Sequence, residues 1–250
     1  MKSPVLAAVF VIAASKPCVT KSASPLPITV GYLDASSLDP DAWPAPNHDP
    51  PGPPGQPDPS DRIFGTPALH DPGPAQVLRL ATDQSVALRS EGFCGPRGLG
   101  AVVVLSPGRD AELVFAMGDP DGTDFARVAD LRFDDGQIAY RTAMTSAFGP
   151  SFGPYPVDEE VLVTVNATPT GPESFDVSVS VASSNPNPST ASFAVDFPEA
   201  AVVYHPTSPA PYTLRVSNHA SAALEVESVQ IRVSGSCAEC TSACQAKLPG

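Results

Sequence analysis

The sequence has little positive charge and no long apolar segment. Its 250 residues carry 14 Lys and Arg against 27 Asp and Glu, and the formal net charge is −13. Lysine occurs only at positions 2, 16, 21 and 247, which leaves arginine as the cation of the region between them. Such a charge argues against nucleic acids and anionic membrane surfaces as partners, because no counterion release would favour their binding. Beyond the amino-terminal residues, no apolar run is long enough for a transmembrane span in the mature chain.

A helical period is also missing. Short runs of β-forming residues, separated by turn residues, recur at the spacing typical of an antiparallel β-sandwich of the jelly-roll type. The strands predicted outside two hairpins are Val77 to Leu80, Ser85 to Ser90, Leu99 to Leu105, Glu112 to Met117, Ser192 to Phe197, Tyr212 to Val216 and Leu224 to Val233.

The strongest local signal is a β-hairpin around Asp135-Gly136. This dipeptide favours a two-residue turn, because both of its positions must accept positive φ. The register that follows pairs Phe133 with Ile138 and Leu131 with Tyr140 on an apolar face. The residues of the opposite, polar face are Arg132, Asp134, Gln137 and Ala139. The alternation predicts a sheet with one dry side and one wet side.

A second hairpin is predicted from two runs of alternating apolar residues. Val161, Val163 and Val165 share one parity, and Phe175, Val177, Val179 and Val181 follow after a turn at 169–172. In the last predicted strand the apolar parity changes between Val226 and Val229, which would turn the apolar face outward. We therefore expect a β-bulge near Ser228.

The chain divides into five segments by composition. Residues 1–15 are typical of a secretory signal peptide, with a charged start and a short apolar run. Residues 16–37 include a predicted strand at Ile28 to Tyr32, and 38–74 form a proline-rich linker or insertion loop. Residues 75–234 form the β-sandwich domain, and 235–250 form a cysteine-containing tail. A lipoprotein anchored through Cys18 is the alternative to a cleaved signal, although Ser15-Lys16-Pro17 suits that processing poorly.

Four stretches of the predicted sandwich carry a resemblance to a known family. They are Gln76 to Leu80, Arg127 to Ile138, Glu160 to Val165 followed by Phe175 to Val179, and Val226 to Ile231. Their succession resembles the strand order of concanavalin A-like lectin/glucanase (laminin G-like) sandwiches over roughly residues 75 to 233. The resemblance implies glycan binding, polysaccharide cleavage or adhesion as the role. The chain departs from the family at Val161-Leu162-Val163, where a later strand often carries tryptophan.

Catalytic signatures are weak in this sequence. Hydrolases that share the resemblance carry a Glu-x-Asp-x-x-Glu strand, and Glu225-Val226-Glu227 is the nearest spacing. We interpret those two carboxylates as a solvated face. His48, His70, His205 and His219 lack zinc-ligand spacing and are interpreted as surface residues. We therefore predict no catalytic residues, while the enzyme question stays open.

Three aromatic residues are candidates for ligand binding. Phe148, Phe152 and Tyr155 lie in a loop rich in glycine and proline, which would hold flat rings at the edge of the sandwich with little ordering cost. Such rings could stack on sugars. The alternative is that they plug the end of the core, where large apolar rings are readily buried.

An acidic loop is the candidate metal site. Asp119, Asp121 and Asp124 place three carboxylates within six residues, and Ca²⁺ prefers oxygen ligands from compact loops of this kind. The spacing is not that of an EF-hand. A polar turn between two strands is the alternative. Calcium is thus the one cofactor the sequence suggests.

The sequence also contains candidates for disulfide formation and for N-glycosylation. Cys94, Cys237, Cys240 and Cys244 are disulfide candidates, because three local thiols do not complete a tetrahedral zinc site. With Cys18 the count is odd. Asn166-Ala167-Thr168 matches the N-glycosylation sequon, which matters only if the source glycosylates.

The sequence thus favours a secreted or envelope-associated, noncatalytic protein that binds glycans or cell-surface polysaccharides. A glycoside hydrolase or polysaccharide lyase of the same jelly-roll fold is one alternative, and a structural or adhesive surface protein is the other. Ligand identity, disulfide connectivity and oligomeric state are left open.

Overall fold

The computed structural model describes residues 28–38, 61–65, 67–71, 75–90, 98–118, 125–141, 147–170, 174–196 and 212–234. Within these residues the chain forms fifteen strands and a single turn of 3₁₀ helix at Ala35–Ser37. The strands are β1 Ile28–Asp34, β2 Asp61–Phe64, β3 Ala68–His70, β4 Val77–Leu80, β5 Ser85–Ser90, β6 Gly98–Ser106, β7 Asp110–Gly118, β8 Phe125–Asp134, β9 Gln137–Arg141, β10 Gly153–Pro154, β11 Val161–Pro169, β12 Ser174–Ala182, β13 Ser189–Asp196, β14 Tyr212–Asn218 and β15 Leu224–Ser234.

The strands form two antiparallel sheets. The first sheet has the order β13-β12-β11-β6-β15-β4-β3, and β1 also pairs with β15. The second sheet has the order β10-β9-β8-β7-β14-β5-β2. The predicted all-β sandwich is therefore confirmed. In the part of the chain that the structure describes, no helix has the length and apolar character needed to cross a membrane.

The hairpin at Asp135-Gly136 is confirmed together with its register. Phe133 pairs with Ile138 and Leu131 pairs with Tyr140 across β8 and β9. Asp135 has φ of 45° and Gly136 has φ of 84°, as a two-residue turn between twisted strands requires. Phe133 and Ile138 are fully buried.

The second hairpin joins β11 and β12, with Val163 opposite Val181 and Val165 opposite Val179. These valines are buried, whereas Leu162, of the opposite parity, is 42% exposed. The core between the sheets combines these strands with the largest buried side chains. Among those side chains are Phe115, Phe133, Phe175, Met117 and Tyr212.

The predicted bulge in β15 is also confirmed. Val226 pairs with Leu105 and Ser228 pairs with the next residue, Val104, so Glu227 is the extra residue of the ladder. The insertion restores the parity, since Val226 and Val229 are both buried.

The amino-terminal strand joins the sandwich, as Ile28 to Tyr32 predicted. β1 pairs with β15 through Ile28 opposite Val233 and Asp34 opposite Ser228. Two further strands, β2 and β3, lie within the segment 38–74 that the sequence assigned to a linker or loop. Both contain no proline and both lie at a sheet edge, where short strands need few ladder hydrogen bonds.

Candidate functional site

Charged side chains lie on the outer face of the second sheet. Leu113 and Leu131 pair across β7 and β8 and are buried in the core. Their neighbours must point the opposite way, because successive strand residues alternate between faces. The charged residues of the outward set on the three adjacent strands β7, β8 and β9 include Asp110, Glu112, Asp130, Arg132, Asp134 and Arg141.

Arg141 links three adjacent strands. Its Nε donates to Asp130 Oδ2 at 2.5 Å, and one terminal nitrogen donates to Glu112 Oε1 at 2.8 Å. Asp130 and Arg141 are direct partners in the β8–β9 ladder, so the short carboxylate lies beside the base of the longer side chain. Arg127 also contacts Asp130, with its Nε 3.0 Å from Oδ2.

Asp130 is fully buried although it belongs to the outward parity. Burial raises the pKa of its carboxyl to about 7, and the neighbouring Glu112 acts in the same direction. The hydrogen bond from Arg141 opposes this shift. The face predicted to be solvent-exposed is therefore buried at Asp130. There the guanidinium groups of Arg141 and Arg127, rather than water, are the partners of the carboxylate.

A second ion pair lies beside the first. Arg132 donates to Asp110 Oδ2 at 3.3 Å, and its Nε is 4.0 Å from Asp134. The Arg132 side chain is 41% exposed, about twice the 21% of Arg141. Arg132 is thus the cation that solvent and a ligand reach more readily.

A cavity of about 300 Å³ lies above these pairs. We call it the charged cavity, and its lining residues are Asp110, Glu112, Arg132, Arg141, Phe148 and His219. The Phe148 ring centroid is 4.5 Å from the guanidinium carbon of Arg141, within the range of a cation–π contact. His219 Nε2 lies 3.6 Å from Glu112 Oε2. Both signs of charge and one aromatic surface therefore meet in one depression.

The three predicted ligand-binding aromatics are separated by the fold. Phe148 borders the charged cavity. Phe152 packs against the core, with its ring centroid 6.1 Å from that of Tyr140. Tyr155 is buried, meets Phe133 edge to face at 5.2 Å and donates its hydroxyl to Gly108 O at 2.6 Å. Tyr155 thus occupies the core-plugging position that the sequence left as the alternative.

Most of the remaining candidates cannot be placed relative to this cavity. Asp119, Asp121, Asp124 and all five cysteines fall outside the described residues. No group of three or more His, Cys, Asp or Glu that could hold a metal ion occurs among the residues that are described. Asn166 is exposed on β11, with the polar parity that its strand predicted.

Glu225 and Glu227 border a smaller cavity of about 170 Å³ on the first sheet, together with Glu160. Burial raises the pKa of Glu227, and the adjacent Glu160 raises it further. The two glutamates are half-buried rather than fully solvated. They are not neighbours of the charged cavity, since β15 and β7 belong to different sheets.

Sequence reasoning missed most of the charged cavity. Asp110 and Glu112 have the i, i+2 spacing that places two carboxylates on one strand face, but the predicted strand began at Glu112. Extending the predicted β8–β9 register by one residue beyond Leu131 and Tyr140 would have paired Asp130 with Arg141. His219 was interpreted as a surface residue, and its side chain is 42% exposed.

Comparison with known proteins gives similarity of fold alone. No protein-family model matches the chain, and no curated protein matches it in sequence. Among solved structures, SO2946, a protein of unknown function from Shewanella oneidensis MR-1, has a TM-score of 0.52 at 11% sequence identity. That match covers 88% of this chain and 91% of that chain.

Two further solved structures have lower TM-scores. The exoplasmic/lumenal domain of VIP36 has a TM-score of 0.47 at 8% identity, covering 81% of this chain and 90% of that chain. The carbohydrate recognition domain of Emp46p has a TM-score of 0.44 at 7% identity, covering 69% and 87%. These similarities concern the fold alone, which in this chain consists of two antiparallel sheets.

Proposed function

We propose that this chain is a noncatalytic binding protein whose charged cavity takes a neutral, hydroxyl-rich glycan. The observation that carries the proposal is the meeting of carboxylate acceptors, guanidinium donors and the Phe148 ring around about 300 Å³. That volume is at the lower end of small-molecule sites and suits one or two sugar units.

The chemistry of the lining groups fits sugar hydroxyls. A hydroxyl can donate to a carboxylate of Asp110 or Glu112 and accept from the guanidinium of Arg132. Hydrogen bonds with one ionised partner are stronger than neutral ones. Phe148 adds an apolar surface for the C–H face of a pyranose.

The balance of charge favours a neutral ligand. The lining carries two carboxylates and two guanidinium groups, and each carboxylate has a guanidinium partner within 3.3 Å. An acidic or a basic sugar would meet two like charges as well as two opposite ones in this lining. A neutral sugar meets only hydrogen-bonding partners.

The same pairing favours binding over catalysis. A general acid must hold a transferable proton where the substrate reaches it. Glu112 is engaged by Arg141 at 2.8 Å, and Asp130 is not exposed to solvent. Asp130 therefore lacks the access that the role demands, and Glu112 already has a guanidinium partner.

The proposal includes export, as the composition of residues 1–15 predicts. The carbohydrate recognition named for Emp46p and the mannose-bound forms of VIP36 belong to those proteins. For the present chain, the proposal stands on the cavity.

A glycan array probed with the full chain, with and without Ca²⁺, tests the proposal. We expect binding to neutral glycans that does not depend on Ca²⁺. Silence on the array together with self-association would contradict it and favour a structural surface protein. Release of reducing ends from the bound glycan would favour the hydrolase instead.

Two variants, Arg132→Gln and Phe148→Ala, test whether that binding occurs in the charged cavity. For the glycan found on the array, we expect each variant to raise the Kd about 10-fold or more, as loss of one charge-assisted hydrogen bond or one stacking surface predicts. Isothermal titration calorimetry measures the change. The matched controls are Arg109→Gln, whose side chain is 72% exposed outside the cavity, and Leu162→Ala on the first sheet. An equal loss in variant and control would place the binding elsewhere.

A glycoside hydrolase remains the second candidate because of one observation. Asp110 and Glu112 line the cavity from the same face of β7, and two carboxyls flanking a bond are what glycosidases use. Glu112→Gln should abolish any hydrolysis if this reading holds, whereas Glu159→Gln, an exposed residue outside the cavity, should leave it intact. Hydrolysis that survives Glu112→Gln would remove this candidate.

A further inference from the structure

A fully buried carboxylate lies among the ion pairs of the charged cavity. Asp130 is 0% exposed and does not line the cavity. Its Oδ2 receives hydrogen bonds or ion-pair contacts from Arg141 and Arg127 at 2.5 and 3.0 Å. Asp130, which a ligand cannot touch, is thus hydrogen-bonded to Arg141, which lines the charged cavity.

We propose that Asp130 is the positioning residue of the charged cavity, holding the Arg141 guanidinium where it orients Glu112 and supports Phe148. This rests on the proposed function for its ligand, but the arrangement itself is a property of the free protein. Asp130 acts through Arg141 and touches no ligand.

The fold explains why a separate anchor is needed. Arginine has a long side chain with many rotamers, and binding loses free energy when such a side chain must be ordered. Asp130 is the direct ladder partner of Arg141, so it holds Nε beside β8. The free end of the guanidinium then reaches Glu112 on β7, one strand further.

Phe148 depends on the same cation. Its ring lies over Arg141 with 4.5 Å between the ring centroid and the guanidinium carbon, closer than the 5.9 Å to Arg132. A guanidinium in one fixed orientation gives the ring a fixed support. Through Arg141, the buried Asp130 therefore positions both Glu112 and the Phe148 ring in the lining of the cavity.

Asp130 also lacks the features of a residue selected for stability. Its Oδ1 is buried and has no hydrogen-bond partner among the described residues. An unsatisfied buried oxygen destabilises the fold, and apolar side chains of similar volume commonly replace buried ion pairs without loss. A contribution to stability therefore does not account for this buried group beside a cavity, whereas the positioning of Arg141 does.

The first test uses the free protein and needs no glycan. Nuclear magnetic resonance resolves arginine Nε–Hε signals and measures their exchange with water. At pH 8 we expect the Arg141 signal to exchange at least tenfold more slowly than that of the exposed Arg109. Asp130→Asn should remove most of this protection, whereas Asp176→Asn, an exposed change on the first sheet, should leave it.

Wild-type exchange at Arg141 that is as fast as at Arg109 would overturn the proposal even if Asp130→Asn fails to fold. Unchanged protection in a folded Asp130→Asn would overturn it as well.

The second test measures affinity for the glycan identified on the array. We expect Asp130→Asn to weaken binding about tenfold at pH 8, although residue 130 cannot reach the ligand, and Asp176→Asn to leave it within twofold. Wild-type affinity in a folded Asp130→Asn would overturn the positioning role. If the wild-type chain binds no glycan while the Arg141 signal is protected, the proposed function fails and the positioning of Arg141 stands.

Discussion

At the scale of single residues, the molecule combines apolar burial with one costly polar exception. Phe133 and Ile138 need no explanation beyond their parity, since both are fully buried in the core. Asp130 has the opposite parity and is equally buried. Arg141 and Arg127 offset only part of its desolvation cost, since burial still raises the pKa of this carboxyl.

The pH dependence of stability tests the burial of Asp130. Its folded-state pKa of about 7 lies above the ordinary value of 3.8, so the folded protein binds this proton more tightly than the unfolded chain does. The contribution of Asp130 to the free energy of unfolding must therefore fall as pH rises from about 4 to 7. We expect Asp130→Asn to be destabilising near pH 4 and less so, or stabilising, above pH 7.

Urea denaturation of the wild type and of Asp130→Asn across that range measures the difference directly. The matched control is Asp176→Asn, which should show no such trend. A difference between wild type and Asp130→Asn that stays constant from pH 4 to 8 would show that Asp130 keeps an ordinary pKa.

At the scale of strands, the sequence predicts the features that a short stretch of residues determines by itself. The β8–β9 turn follows from Asp135-Gly136, and the bulge follows from the change of parity between Val226 and Val229. The charged cavity needs three strands in a given order. Glu112 meets Arg141 only because β7 and β9 both flank β8, and no local pattern states that β7 is the neighbour.

Gly136 provides a test at this scale. Its φ is +84°, whereas a Cβ added there would meet only ordinary contacts at 3.7 Å and beyond. Gly136→Ala should therefore lower the free energy of unfolding through backbone strain alone, by about 1–2 kcal/mol. Gly108→Ala is the control, since it also has room for a Cβ, at 3.7 Å, and no positive φ. Equal stability of the two variants in urea would contradict the assigned turn.

At the scale of the whole molecule, the net charge of the chain differs from the charge that lines the cavity. The net charge of −13 belongs to the entire chain, but the lining of the charged cavity is balanced between two carboxylates and two guanidinium groups. If the proposed function holds, the net charge repels acidic polysaccharides at long range, while a neutral glycan in the cavity meets only short-range hydrogen bonds.

Salt separates these two effects. The Debye length falls from about 30 Å at 0.01 M to about 8 Å at 0.15 M ionic strength, which screens the net charge but hardly affects hydrogen bonds within a cavity. We expect the Kd for the neutral glycan found on the array to change by less than about twofold between these concentrations, as measured by calorimetry. A tenfold weakening would contradict this expectation, because it would show that charge interactions screened by salt, rather than short-range hydrogen bonds, dominate the binding.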